Sequence, residues 1–542
     1  MSGDPAVPED HPAPDLGITP QDVSGEIRDF VDRQERRRRL VPRAALVGLS
    51  AGLLAIAFRL SIEGAEHLRA ALYSAARSLG AWGYPLPPLA CALAAGASLY
   101  LVRRFAPEAA GSGIPHLKAV LHRLRGLRSL RLLPVKFASG LLAIGGGLAL
   151  GREGPTVQMG GASGHLIGGW LGVTPRERQV LIAAGAGAGL AAAFNAPLAG
   201  VIFVLEELQG DFAPGVLTSS FVASLTADLI SRLALGQLPV FHLAAAPAPP
   251  LGSLPAFLAL GALAGLFGVL FNRSLLAGLR GFERLAAWPW GLPAAIVGLL
   301  IGLVGWFLPG ALGGSTSLLE DAFSGRIAMA PLLGLLALRF AMTILSYGSG
   351  VAGGIFAPLL VIGALLGQAV NLLANRWGGS ISAAPGSSAA LPVVGMAALF
   401  AAIVRAPLTA IVLILEMTAN YSLMLPLLAA TFIAYGLADL MGDRPIYQAL
   451  LERDTLRGQD APELLGTLLV ERTVRPGAPF DGRRVADLQL PAGCLLITVE
   501  REGKSVVPDR DTVLQSGDRI TAVVAPRAAD GHRLLVEGTA PH

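Results

Sequence analysis

Glu153 stands in the run Gly151-Arg152-Glu153-Gly154-Pro155, a helix-start sequence set in otherwise apolar surroundings. A carboxylate among the unpaired N–H groups of a helix start sits where an anion would also sit. When ionised it can occupy the anion position, and when protonated it can swing away, which makes it a gate; the plainer alternative is an ordinary first-turn acid. Ser112 lies in a second run, Gly111-Ser112-Gly113-Ile114-Pro115. Its glycines permit a tight turn that aims a hydroxyl and backbone amides at an anion, and Pro115 suits the first turn of the helix that follows. A third run, Gly354-Ile355-Phe356-Ala357-Pro358, can offer the amides of Ile355 and Phe356 in the same way. An anion held without a lysine or arginine in direct contact can also leave, as transport requires. Arg152 is read as shaping the field at the pathway mouth or packing the loop, not as a primary ligand.

The elements that position these groups belong to a membrane. Of 542 residues 53% are hydrophobic and 15% charged, with a mean hydropathy of +0.59, far from the balance of a soluble domain. Apolar segments long enough to cross a bilayer, whole or in two pieces, recur from about Val41 to Leu440. The three Gly/Pro runs stop helices at membrane depth, where unwound backbone is tolerated only around protein or a wet site. The 67 glycines suit close helix packing in lipid.

Residues 1–40 are polar and then basic, with no apolar core that would act as a cleaved signal peptide, so the N-terminus is expected in the cytoplasm. Arg36–Arg39 and the segment carrying Lys118, Arg123, Arg125, Arg128, Arg131 and Lys136 should face the cytoplasm by the positive-inside rule. Because these cations flank spans, the net charge of +4 is a topology signal and no nucleic-acid partner is expected. Cys91 and Cys494 are the only cysteines, too few and too far apart for a disulfide framework or a cysteine metal site. No cofactor or metal is expected.

The membrane region repeats itself. Ala191–Glu207 (AAAFNAPLAGVIFVLEE) aligns without gaps on Ala401–Met417 (AAIVRAPLTAIVLILEM), and Gly151–Pro155 corresponds to Gly354–Pro358. Glu206 matches Glu416, a carboxylate shared by both halves and thus of structural character, pairing with a helix end or a basic side chain. Glu207 matches Met417, and Glu153 falls opposite Phe356. A carboxylate at membrane depth in one half only is a functional candidate. Glu207 ends an apolar helix beside Gln209 and Asp211, placed to take protons from the cytoplasm.

GSGIP, GREGP, GIFAP and the tyrosine of Arg444-Pro445-Ile446-Tyr447, in this order and at these separations, resemble the CLC family of chloride channels and anion/proton antiporters. The resemblance covers roughly Val41 to Leu451. It implies an all-α polytopic membrane fold of inverted repeats and broken helices, a homodimer with one anion pathway per subunit, and both termini in the cytoplasm. It assigns central-anion ligation to Ser112 and Tyr447, gating to Glu153 and internal proton transfer to Glu207. Serine at 112 is the family's chloride-type choice, against nitrate-preferring and fluoride-exporting relatives. His116 and Lys118 depart from the family's exchangers, where acidic residues are familiar, which alters charge on the cytoplasmic side of the proton route. His116 is read as a solvated loop histidine or a pH-sensitive group.

From about Arg453 charges, β-branched residues and turns replace the apolar runs, and residues 460–540 read as a small α/β domain after a 41–452 membrane domain. Strands are expected at Leu468–Val474, Leu495–Glu500, Ser505–Val507 and Arg519–Val524, with a short helix at Gly482–Leu488. Their order resembles the TrkA-C domain, the C-terminal lobe of potassium-channel regulators, in place of the CBS pair of many eukaryotic CLC proteins. That implies a prokaryotic source, and a tail that dimerises or takes a small regulatory ligand.

The leading function is secondary active exchange of chloride for protons across the inner membrane. The runner-up is a passive chloride channel, voltage- or pH-gated, in which Glu153 remains the gate. An intramembrane hydrolase with Ser112 as nucleophile and His116 or His165 as base is the competing enzyme reading. It lacks any further motif, so the protein is not expected to be an enzyme.

Overall fold

The computed structural model describes residues 20–210, 212–236, 241, 249–285, 287–289, 291–314, 316–376, 387–457, 468–501, 504–525 and 529–540, with side chains from Arg38 onward. Asp211 and the Glu502-Gly503 turn fall outside them.

Two kinds of helix build the membrane part. Seven stretches among the described residues are long and apolar enough to span a bilayer: Arg38–Ser78, Gly80–Phe105, Pro214–Leu235, Leu251–Glu283, Met329–Gly348, Phe356–Arg376 and Tyr421–Leu440. The first belongs to a continuous helix, Pro20–Ser78, so residue 40 is no break in secondary structure. The others include the Gly- and Ala-rich Glu153–Trp170 and Pro175–Phe194, and shorter pieces: Ile114–Leu121, Pro197–Phe203, Leu292–Phe307, Ala390–Val404 and Pro407–Thr418. Several start on a proline at the first or second position, where the missing N–H costs nothing.

The halves are built alike. The Glu153–Trp170 and Pro175–Phe194 helices pack where Gly160 faces Gly185, each leaving no room for a side chain on the other; Phe356–Arg376 and Ala390–Val404 do the same through Gly363 and Gly395. Small residues thus allow backbone contact where burial of apolar groups gains little. The helices starting at Pro175 and Ala390 both end on a left-handed residue, Asn195 (φ 52) and Arg405 (φ 68), at matching alignment positions.

The repeats are also inverted. Near the C-terminal end of the first-half apolar run, Glu206 accepts hydrogen bonds from Leu408 N (3.0 Å), Thr409 N (2.7 Å) and the Thr409 hydroxyl (2.7 Å) at the start of the second-half helix. Glu416 returns the contact to Leu198 N (3.1 Å) and Ala199 N (2.8 Å). Repeat-related helices whose ends meet in this reciprocal way run antiparallel. A large apolar core, including Phe203, Phe271, Phe400 and Leu427, fills the space between the halves.

The tail has its own core around Val470, Phe480, Leu496, Leu514 and Leu535. Strands β1 (Leu468–Thr473), β2 (Cys494–Arg501), β3 (Lys504–Val506) and β4 (Arg519–Val524) form an antiparallel sheet in the order β1-β4-β2-β3. The helix expected at Gly482–Leu488 shrinks to a single 3₁₀ turn, Val485–Leu488. Val485 and Ala486 donate instead to Thr512 and Arg510 carbonyls across the domain, and Gly482 is left-handed (φ 76).

Candidate functional site

The three Gly/Pro runs meet in space. Gly151 and Gly354, equivalent residues of the two repeats, exchange backbone hydrogen bonds (2.7 and 2.8 Å). Gly111 donates to Val351 O (2.9 Å) and accepts from Gly353 N (2.9 Å). These bonds replace the ladder partners lost where the helices break, and they aim three helix starts at one region.

Gly113, left-handed at φ 80, turns the chain into the Ile114–Leu121 helix. Ser112 is buried, and its hydroxyl oxygen lies 3.3 Å from Ile114 N. A methyl group on Gly154 would stand 2.9 Å from the Cα, Cβ and carbonyl oxygen of Ser112, so the second break presses directly on the serine turn. Glu153 opens the Glu153–Trp170 helix and is buried; its carboxylate faces its own N–H and that of Ala357 in the third break. Among the described residues its Oε2 has no hydrogen-bond partner. Phe356 begins its helix, the ring held by Phe194 (5.9 Å), Phe203 (5.8 Å) and Phe400 (4.4 Å between centroids), which leaves the Ile355–Phe356 amides at a first helical turn.

Tyr447, on the Ile446–Arg457 helix, is fully buried, and its hydroxyl lacks a partner among the described residues. It lies in the electrostatic reach of Glu153, Glu207 and Tyr347. An orphaned hydroxyl in such a place costs free energy unless a ligand or water completes it. Arg152 is anchored away from the break, donating to Ala193 O (3.3 Å), with Glu63 at 4.0 Å.

Glu207 lies in a wide helical turn, Val204–Gln209, that follows Pro197–Phe203. It is buried and paired at 2.9 Å with the Lys118 ammonium.

Several sequence expectations change. Lys136 does not face the cytoplasm; it is fully buried and donates to the carbonyls of Ala109 (2.9 Å) and Gly111 (2.7 Å), which the chain reversal before Ser112 leaves without helical partners. His116 is not a solvated loop histidine but part of the Ile114–Leu121 helix. The Gln158 Nε2 donates to Glu108 O (2.9 Å), which fixes that amide, so His116 Nδ1, 3.2 Å from the same nitrogen, must accept. The ring's other side faces the Gly126 backbone. For the hydrolase reading, His116 bonds Gln158 and His165 bonds the Ser129 hydroxyl (3.0 Å), so neither histidine is paired with Ser112.

The sequence reading missed Tyr347, buried with its hydroxyl against the Gly111–Ser112 turn, and Arg339, buried and donating to Ala311 O (2.8 Å) and Gly313 O (3.1 Å). A signal existed for Arg339, a lone cation inside Leu335–Met342. Tyr347 carries none, being one more aromatic at a helix end.

Broken, inverted helices around a buried carboxylate and an orphaned tyrosine hydroxyl define a polytopic membrane transport protein. The family model described as "Voltage gated chloride channel" matches residues 89–439, and the chain belongs to that family. A TrkA-C domain model matches residues 469–531. The "H(+)/Cl(-) exchange transporter ClcA" of Yersinia pseudotuberculosis serotype IB is 37% identical over 463 residues, covering 84% of this chain and 96% of that one. Its namesake from Vibrio parahaemolyticus is 39% identical over 463 residues, covering 83% and 97%. A solved structure titled as a slow cyanobacterial Cl-/H+ antiporter superposes with a TM-score of 0.73 at 36% identity, covering 78% of this chain and 99% of its own.

Proposed function

We propose that this protein exchanges chloride for protons as a secondary active transporter. The observation that carries the reading is Glu153: a buried carboxylate lying over the amides of two helix starts, with one oxygen unpartnered. Ionised, it takes the place of an anion; protonated, it gives up those amides and opens the path. Ser112, Tyr447 and the Ile355 and Phe356 amides hold the anion inside that gate, with Gly111, Gly113, Pro115 and Gly154 shaping the turns. Glu207 passes protons to and from the cytoplasm. Relatives named as H(+)/Cl(-) exchangers over nearly their whole length support this.

The working unit is a homodimer with a pathway in each subunit, in a prokaryotic inner membrane, with both termini cytoplasmic. It needs no cofactor or metal, chloride and protons being the cargo. Residues 460–540 form a regulatory module for a small ligand or for tail dimerisation.

The test uses chloride-loaded liposomes with an outward chloride gradient and records proton uptake against a pH gradient. Wild type moves protons uphill, while Glu153→Ala and Glu207→Ala lose proton movement and keep chloride flux. Chloride flux without proton movement in wild type makes the protein a passive channel.

A further inference from the structure

We infer that Lys118 is a positioning residue for proton transfer: its ammonium holds the Glu207 carboxylate and must leave before Glu207 can take a proton from the cytoplasmic side. This rests on the exchange reading of Glu207. The geometry is a charge-assisted hydrogen bond of 2.9 Å from Lys118 Nζ to Glu207 Oε1, with the Glu207 side chain 5% exposed and that of Lys118 20%. The carboxylate is sealed in, whereas the lysine reaches solvent, so the lysine is the partner able to move. A lysine on a flexible four-carbon stem can swing outward without disturbing the helix that carries it.

Among the described residues Lys118 is the cation that faces Glu207. The groups facing Glu207 are Lys118 from the Ile114–Leu121 helix, its neighbour Glu206, and the Tyr447 hydroxyl. Glu206 is committed to the Pro407 helix start. The Pro175–Phe194 helix buries small and apolar residues from Leu181 to Phe194, and on the Pro214–Leu235 helix Asp228 and Arg232 pair with each other at 2.7 Å. His122 faces Lys118 from the same helix's end. A proton arriving at Glu207 therefore competes with one ammonium, and the turn carrying Ser112 and the proton acceptor are tied through one short helix. No bond is made or broken beyond the proton transfer: the carboxylate exchanges an N–H···O contact for an O–H.

The test is the dependence of exchange on internal pH in liposomes, comparing wild type, Lys118→Met and Lys118→Arg, each also in a Glu207→Ala background. Removing an opposite charge at this range frees the carboxylate for protons, so Lys118→Met should reach half-maximal proton uptake at an internal proton concentration about tenfold lower. Lys118→Arg, which keeps the charge, should stay near the wild-type profile, and in the Glu207→Ala background Lys118→Met should shift the chloride-flux profile no further. An unshifted Lys118→Met profile, or a Lys118→Arg profile displaced as far as that of Lys118→Met, overturns the inference while wild-type exchange stands. If Lys118→Met does not reconstitute, Lys118→Gln supplies the neutral variant and is read the same way. Absence of proton movement in wild type removes the exchange reading itself.

Discussion

At the residue scale the site depends on what is left out as much as on what is present. Gly154 follows Glu153, the proposed gate, and adding a methyl there places carbon 2.9 Å from three atoms of Ser112, two of them backbone. Backbone at a crossing of two helix starts has no room to yield, so Gly154→Ala costs about 1–3 kcal/mol of strain. That strain falls on the Ser112 turn, the proposed anion site, and chloride flux in liposomes should drop about tenfold while the protein still folds in detergent. Lys136 poses the complementary case. Its two bonds reach the Ala109 and Gly111 carbonyls, and Lys136→Met leaves the Ala109 carbonyl buried without a partner, at about 1–3 kcal/mol, while Gly111 keeps its bond from Gly353 N. A lowered unfolding temperature in detergent checks this; an unchanged one means that water replaces the ammonium.

At the element scale Glu206 and Glu416 lock the repeats together, each closing the first turn of its counterpart's helix. Glu206→Gln and Glu416→Gln put an amide N–H₂ against backbone donors and should each cost about 1.5–3 kcal/mol, the price of a charge-assisted bond. The loss should be larger for Glu206, which also holds the Thr409 hydroxyl, and thermal unfolding of the two variants side by side measures the order. Equal losses, or none, would count against a paired lock. This pairing was half legible: the ungapped match of Ala191–Glu207 to Ala401–Met417 singled out both carboxylates as shared, and a helix end was among their expected partners. Their reciprocity was not legible, because inversion is a fact of three dimensions that a pattern along one chain does not carry. The same holds for the anion turns. Glycine and proline spacing marks where helices stop, since that is local chemistry, so the breaks that carry Ser112, Glu153 and Ile355 could be found from sequence. Lys118 with Glu207, and Tyr347 with Ser112, join residues 89 and 235 positions apart, and only packing unites them. Lys136 was misplaced because a buried lysine inside a basic run looks like its solvated neighbours.

At the scale of the whole molecule two cores coexist, and they answer to different conditions. In the tail Arg501 grips Asp518 through both oxygens (2.7 Å each), and Gln515 N adds a third bond, which hold the Asp518 carboxyl below its usual range. A lowered folded-state value stabilises the tail above the unfolded value near 4 and is lost as pH falls through the folded one. Amide protection factors in β2 and β4, each taken against the unfolded-chain rate at the same pH, should thus be high at neutral pH and fall below about pH 4, and Asp518→Asn should show the lower protection already at neutral pH. Every group assigned to gate, anion and proton precedes Arg457, on helices whose buried side chains form clusters separate from that of the tail. Tyr447 is the last of these groups, and its helix is held by contacts to the membrane part, Arg453 to Glu283 at 2.8 Å and Arg125 to the Asp454 carbonyl. A chain ending at Arg457 should accordingly keep coupled exchange at the full-length stoichiometry in liposomes, its rate free to differ if the tail regulates. A truncated chain that passes chloride but no protons would show instead that the tail holds the Tyr447 helix in register, and that the two cores work as one.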